Sequence, residues 1–206
     1  RKGNIMFTSG SIQSSLSLRE KIYSIDYVLV FSILILGIIS MFAMYSTDRG
    51  VYDYHTKSHI LRFIVFFFFF IVISLFESKF WYRTSTVIYL IFFLLLLGVK
   101  YFGLTSSGSQ RWINLYVINL QPSELMKIGL IIFLSKYYHR IPSNDVNKLK
   151  FLFLPVVVLV APSLLVVSQP DLGTAVLIAA GGIIVAWLAG VRIKFFAYAS
   201  ILFLSL

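Results

Sequence analysis

Cysteine is absent from the 206 residues, which excludes disulfides and thiolate metal sites and leaves the compartment unreadable from redox chemistry. Charge is scarce as well: 13% of residues are Asp, Glu, Lys or Arg, against 59% hydrophobic. A soluble globule of this length needs a far more polar exterior, so with a mean hydropathy of +0.89 the chain reads as an integral membrane protein. Alternating strands of the kind that build transmembrane barrels are missing. The formal charge of +10 never gathers into one basic stripe, which argues against a nucleic-acid partner. Residues 1–26 have neither the short apolar core nor the small-residue cleavage site of a secretory signal peptide, and read as a cytoplasmic N-terminal tail.

What is present is a series of apolar runs of roughly 15 to 20 residues, the length that crosses a hydrocarbon layer about 30 Å thick. They cover about Tyr27–Tyr45, Ile60–Phe76, Thr84–Tyr101, Pro122–Tyr138, Phe151–Val167 and Thr174–Leu188, and a further run starts at Phe195. The expected fold class is therefore all-α: a polytopic helical membrane protein with about six complete transmembrane helices plus the start of a seventh. Residues 27–206 would be the N-terminal part of a larger membrane domain, cut within that seventh span. The fifth run contains Pro155 and Pro162, which predicts kinks and freed backbone carbonyls.

With the N-terminus inside, the inner loops hold most of the Lys and Arg, among them Lys79, Arg83, Lys136, Arg140, Lys148, Lys150, Arg192 and Lys194, as translocation prefers. Two polar sites then share the outer face. The first lies between Gly108 and Lys127 and concentrates Gln110, Arg111, Trp112, Asn114, Asn119, Gln121, Pro122, Ser123, Glu124 and Lys127. Ionisable groups at bilayer depth cost at least about 2.5 to 3.5 kcal/mol each, so such a concentration points to function. Pro122 suits the first turn of a helix, and Glu124 sits where the helix dipole favours a carboxylate. Lys127 is placed to pair with Glu124 on one helical face, and a plain salt bridge at the helix entry is the larger share of that reading. Arg111 and Trp112 suit an anionic headgroup and an apolar or sugar face, or simply an interfacial anchor.

The second site, Gln169-Pro170-Asp171-Leu172-Gly173-Thr174, repeats the Gln-Pro-acid arrangement ahead of another helix. Asp171 either caps that helix, the commoner role, or accepts from Arg111 or ligates a divalent cation. His55, His59 and His139 form no metal set and read as structural or interfacial. The Phe66–Phe70 run reads as lipid-facing bulk, and Gly181 and Gly182 as a close helix contact.

Taken together, Gly108-Ser109-Gln110-Arg111-Trp112-Ile113, Gln121-Pro122-Ser123-Glu124-Leu125-Met126-Lys127 and Gln169 to Thr174 resemble the shape, elongation, division and sporulation (SEDS) family, and more its RodA branch than its FtsW branch. The resemblance implies a peptidoglycan glycosyltransferase that polymerises lipid II at the outer face of the bacterial cytoplasmic membrane during cell elongation. It implies substrate-binding roles for Arg111, Trp112, Gln121, Ser123, Glu124, Lys127, Gln169 and Asp171, and a divalent cation, Mg or Mn, bridging carboxylate and pyrophosphate. It also implies a catalytic aspartate beyond Leu206, so that the 206 residues alone would not polymerise. The implied partners are a class B penicillin-binding protein and other membrane proteins of the elongation complex. Rival readings are a flippase for lipid-linked precursors and a non-catalytic structural subunit of the elongation complex.

Overall fold

The computed structural model describes residues 17–106, 109–114 and 119–197. Two units, residues 1–77 and 78–206, are described separately below.

In the first unit the sequence Ser17-Leu18-Arg19-Glu20 closes a capping box and starts the short helix α1, Leu18–Tyr23. The Ser17 hydroxyl accepts from the Glu20 backbone N–H while the Glu20 carboxylate accepts from the Ser17 N–H, satisfying donors that a helix start otherwise leaves open. The segment lies within the tail expected over residues 1–26, and its Ser-x-x-Glu spacing is the signal for this helix. Lys21 then pairs with Glu77 at 3.0 Å. Asp26 caps α2, Tyr27–Thr47, by accepting from the N–H groups of Val28 and Leu29. Asp53 caps α3, Tyr54–Ser74, which therefore starts well before the apolar run at Ile60.

Between α2 and α3, Gly37 lets the helices approach closely: a Cβ there would lie 2.1 Å from the tip of the Phe63 ring. The loop is tied by Asp48, which accepts from the Thr56 N–H at 2.8 Å and the Thr56 hydroxyl at 2.6 Å. These two bonds hold the Asp48 carboxyl below the ordinary carboxylate range. His59 shares a 2.9 Å hydrogen bond with the Ser40 hydroxyl, a packing role, and Phe66, Phe68 and Phe69 are exposed along α3.

The second unit begins with α4, Ser78–Phe102, and continues through three short antiparallel strands, β1 Leu104–Ser106, β2 Ser109–Asn114 and β3 Asn119–Leu120. This small sheet was not foreseen. The residues of β2 and β3 belong to the polar stretch between Gly108 and Lys127, in which Trp112 and Ile113 are the strand formers of β2. Three helices follow: α5 Pro122–His139, α6 Leu149–Val167 and α7 Leu172–Leu188. Leu96, Met126, Leu130, Leu134, Val166 and Ile178 are almost wholly buried, so α5 runs through the middle of the core with α4, α6 and α7 around it. At the far end from the sheet, the Asn147 amide donates to the Gly190 carbonyl at 3.2 Å and accepts from the Arg192 N–H at 2.8 Å. It thereby fastens the α5–α6 loop to the exit of α7.

Helices occupy all six expected runs, but their membrane character differs. By length and composition α2, α3, α4 and α6 suffice to cross a bilayer. Helix α5 carries Glu124, Lys127 and Lys136, and its Met126, Leu130, Leu134 and Tyr138 face the core while Ile128 and Ile131 are exposed. Helix α7 has 17 residues, about 26 Å of helix, slightly short of a hydrocarbon core. Most of the expected seventh span falls at residues 198–206, outside the described residues.

The two prolines of α6 remove the N–H groups that would bond the carbonyls four residues earlier. For Pro162 that carbonyl belongs to Val158, and it accepts from the Tyr89 hydroxyl of α4 at 2.9 Å. For Pro155 it belongs to Phe151, and it accepts from the Tyr137 hydroxyl of α5 at 3.0 Å. Both freed acceptors are thus satisfied by tyrosines from neighbouring helices, as a low-dielectric interior requires. Tyr89→Phe, which leaves the Val158 carbonyl without its donor in a buried site, is expected to cost about 1 to 3 kcal/mol in unfolding measurements in detergent. In a Pro162→Ala background the restored N–H takes over, so the same Tyr89→Phe change should then be nearly silent; an undiminished cost there would disprove the compensation.

Candidate functional site

Strand β2 carries Arg111 to the turn between α6 and α7. Its Nε donates to the Gln169 carbonyl at 3.3 Å and an Nη2 hydrogen to the Pro170 carbonyl. Nη1 lies 3.7 Å from Asp171 Oδ2, with the two side chains 31% and 12% exposed. The planar guanidinium reaches two carbonyls and a carboxylate at once because its donors form a rigid fork. The two polar segments, separated by more than fifty positions in sequence, therefore meet.

Asp171 fulfils both roles foreseen for it within the protein. As the N-cap of α7 it accepts from the Thr174 N–H at 3.2 Å and the Thr174 hydroxyl at 2.9 Å. Its Oδ2 also accepts from Gln121 Nε2 at 3.3 Å. Gln121 occupies the N-cap position of α5 without capping it, and spends its side chain on the other helix. Gln169 is buried and donates to the Leu96 carbonyl of α4 at 3.3 Å. The result is a web in which strand β2, the starts of α5 and α7, and the wall of α4 are mutually fixed. Thr174 was quoted in the motif but not singled out; its position three residues after an N-cap Asp was the available signal.

Glu124 and Lys127 form the expected one-turn ion pair, at 2.8 Å, with Glu124 more than half exposed. Ser123 is buried in the first turn of α5. Trp112 follows Arg111 in the strand and so alternates to its opposite face, half-buried. Ile113 returns to the Arg111 side, where with Ile91, Leu94, Leu95 and Gly98 it lines an open apolar groove of about 380 Å³. An ionic cluster and an apolar groove thus share one strand. Gly108 of the motif lies outside the described residues, and of the Gln110 and Asn114 side chains nothing is described.

A divalent cation fits this arrangement poorly. Among the described residues no three His, Cys, Asp or Glu side chains gather into a ligand set, and the Asp171 oxygens already face Thr174, Gln121 and Arg111.

Fold and site together define a multi-pass helical membrane protein whose polar centre lies at one end of a helix bundle, beneath a small sheet. The chain belongs to the FtsW/RodA/SpoVE family, whose profile, described as "Cell cycle protein", matches residues 21–206. Over 110 residues it is 37% identical to the peptidoglycan glycosyltransferase MrdB of Escherichia coli K12, covering 52% of this chain and 29% of that protein. Over 144 residues it is 33% identical to the probable peptidoglycan glycosyltransferase FtsW of Buchnera aphidicola subsp. Schizaphis graminum, covering 69% and 40%. The fold is that of the crystal structure of Thermus thermophilus rod shape determining protein RodA, with a TM-score of 0.72 at 22% identity over 86% of this chain and 60% of that one. A structure described as the coordination of polymerization and crosslinking by a peptidoglycan synthase complex matches with a TM-score of 0.60 at 23% identity, over 87% and 53%. The chain spans less than half the length of these two curated relatives.

Proposed function

We propose that this chain is the N-terminal part of a peptidoglycan glycosyltransferase of the RodA type, which polymerises lipid II at the outer face of the bacterial cytoplasmic membrane. The observation that carries the reading is the sharing of β2 between the Arg111 cluster and the apolar groove at Ile113. A lipid-linked saccharide pyrophosphate has the same two-part character, an anionic head and a long apolar tail. The family's relatives bearing the glycosyltransferase name supply the reaction class. Gln110 before Arg111 and the form Gln-Pro-Asp-Leu-Gly-Thr favour the RodA branch, and the excess of Lys and Arg in alternate loops favours an inside N-terminus.

In this reading Arg111 and Lys127, ion-paired with Asp171 and Glu124, turn their remaining donors to the departing pyrophosphate, while Asp171, Gln121, Gln169 and Ser123 keep the wall of the cavity in place. Trp112 and Glu124 border the mouth. Any cation taking part would be held mainly by the pyrophosphate, since Asp171 is already committed to protein donors. The proton of the acceptor hydroxyl would be taken by a carboxylate outside these 206 residues. A class B penicillin-binding protein is the proposed partner, in line with the synthase complex that shares the fold.

The test is polymerisation of purified lipid II by the full-length protein in liposomes. Glycan strands from the wild type, and their loss in Asp171→Ala with folding retained, are the expected results. Movement of lipid II across the vesicle wall without strand formation would favour a flippase instead. Unchanged polymerisation in both Arg111→Ala and Asp171→Ala would remove these residues from the site.

A further inference from the structure

The opposite end of the second unit, where α4 begins and α5 ends, carries a second polar assembly that the proposed reaction does not use. Lys136 in the last turn of α5 and Arg140 at its C-cap stand four positions apart, so both lie on one face of the helix end. Neither turns back to compensate the α5 carbonyls. Lys136 Nζ crosses to α4 and donates to the Arg83 carbonyl at 3.3 Å and to the Thr86 hydroxyl at 3.2 Å. Arg140 Nε donates to the Tyr82 hydroxyl at 3.0 Å. Both cations also lie over the Tyr82 ring, at 5.6 and 5.4 Å from its centroid, with the His139 ring edge-on against it.

Every partner of these two cations is neutral. Among the described residues the ion pairs are Lys21–Glu77, Arg111–Asp171, Lys127–Glu124 and Lys148–Asp145, and none reaches Lys136 or Arg140. The exposed Arg83 adds a third positive group on the same turn of α4. Positive charge kept only for topology needs no fixed geometry, since the loop bias acts through the count of Lys and Arg. Here the two groups are seated by three hydrogen bonds and two ring contacts on one tyrosine and its neighbours, and among the described residues the terminal nitrogens of the Arg140 fork keep free donors of the kind that bind phosphate oxygens. Directly below on the same helix, Val87 and Leu90 are exposed, an apolar strip at one-turn spacing from Arg83 that ends where Ile91 and Leu94 enter the groove at Ile113.

We propose that Lys136, Arg140 and Arg83 around Tyr82 form a binding seat for the headgroup of an anionic phospholipid, whose acyl chains lie along the exposed strip of α4. The charge pattern selects a lipid of net negative charge: two fixed cations without a neighbouring carboxylate match a phosphodiester and offer nothing to the ammonium of a zwitterionic headgroup. The apolar strip selects a lipid over a soluble phosphate.

The experiment is native mass spectrometry of the full-length protein released from detergent with added phosphatidylglycerol or phosphatidylcholine. Phosphatidylglycerol is expected to be retained about tenfold more strongly, and Lys136→Gln with Arg140→Gln should abolish the preference. The charge-preserving pair Lys136→Arg with Arg140→Lys should retain it, and neutralising Lys57 and Lys100, which lie outside the cluster, should leave it unchanged. Equal retention of the two lipids would overturn the proposal, as would a preference that survives the glutamine pair. Displacement of the lipid by inorganic phosphate would identify a small-anion site and overturn it too. Loss of the preference in the charge-preserving pair would trace it to packing and do the same.

Discussion

Arg111→Ala is expected to lower the stability of the second unit by about 2 to 3 kcal/mol and to release the turn between α6 and α7. The ion pair itself is a minor part of this. At 3.7 Å and with Arg111 31% exposed, its direct attraction is close to that of a surface pair, about 0.2 to 1 kcal/mol. The larger part comes from what is left behind: a carboxylate only 12% exposed that loses its countercharge, and the Gln169 and Pro170 carbonyls that lose their donor. Lysine should recover little, because a single ammonium on a flexible stem cannot serve three acceptors in a fixed fork geometry. Asp171→Asn offers the complementary change, since the amide oxygen can still accept from the Thr174 N–H while the negative charge is gone. In that background Arg111→Ala should cost about 1 kcal/mol less than in the wild type. Unfolding of the four proteins of this cycle in detergent is the measurement; strict additivity would show that Arg111 and Asp171 are mere neighbours.

This clamp shows how far the sequence could be read. Pro122 and Asp171 marked helix starts through local chemistry, a missing N–H in the first turn and a short carboxylate ahead of a helix, and both helices begin beside them. The Glu124–Lys127 pair was legible for the same reason, since i,i+3 spacing alone brings the two together. That Arg111 should find the carbonyls of Gln169 and Pro170 had no local signal, because the strand that aims it, β2, is fixed by pairing with β1 and β3. The tyrosines that serve the two proline-freed carbonyls were illegible too. The prolines predicted the open acceptors, but the donors come from α4 and α5 and depend on helix packing. The crossing of Lys136 and Arg140 to Tyr82 belongs with these: the sequence shows scattered inner-loop cations, and only the packing of α4 on α5 gathers them. Capping explains the remaining shift, for Asp53 starts α3 in polar sequence that a hydropathy window passes over.

The Gly181-Gly182 pair separates sequence from packing most sharply, and Gly182→Leu is expected to have the largest effect of any single change in α7. A Cβ at Gly182 would lie 2.5 Å from Leu159 Cδ1 of α6 and 3.4 Å from Leu130 Cδ2 and Leu134 Cδ1 of α5. Leu130 and Leu134 are almost wholly buried and have no room to yield. Leu159 is only half-buried, and the atom it presents is the end of a flexible side chain. Gly182→Ala should therefore be tolerated: a repacking cost of about 1 to 3 kcal/mol is partly offset by about 1 kcal/mol of helix propensity. Leucine must also place three further carbons between α5, α6 and α7, and should cost more than about 3 kcal/mol or force the helices apart. At Gly181 the nearest atoms, from Ile131, are 3.6 Å away, an ordinary contact. Gly181→Ala should accordingly gain up to about 1 kcal/mol. Thermal unfolding in detergent would rank the three variants, and Leu159→Ala should rescue a large part of the Gly182→Leu defect by vacating the space the new side chain needs. If Gly182→Leu melts no lower than Gly181→Ala, the close approach of α6 and α7 does not depend on Gly182.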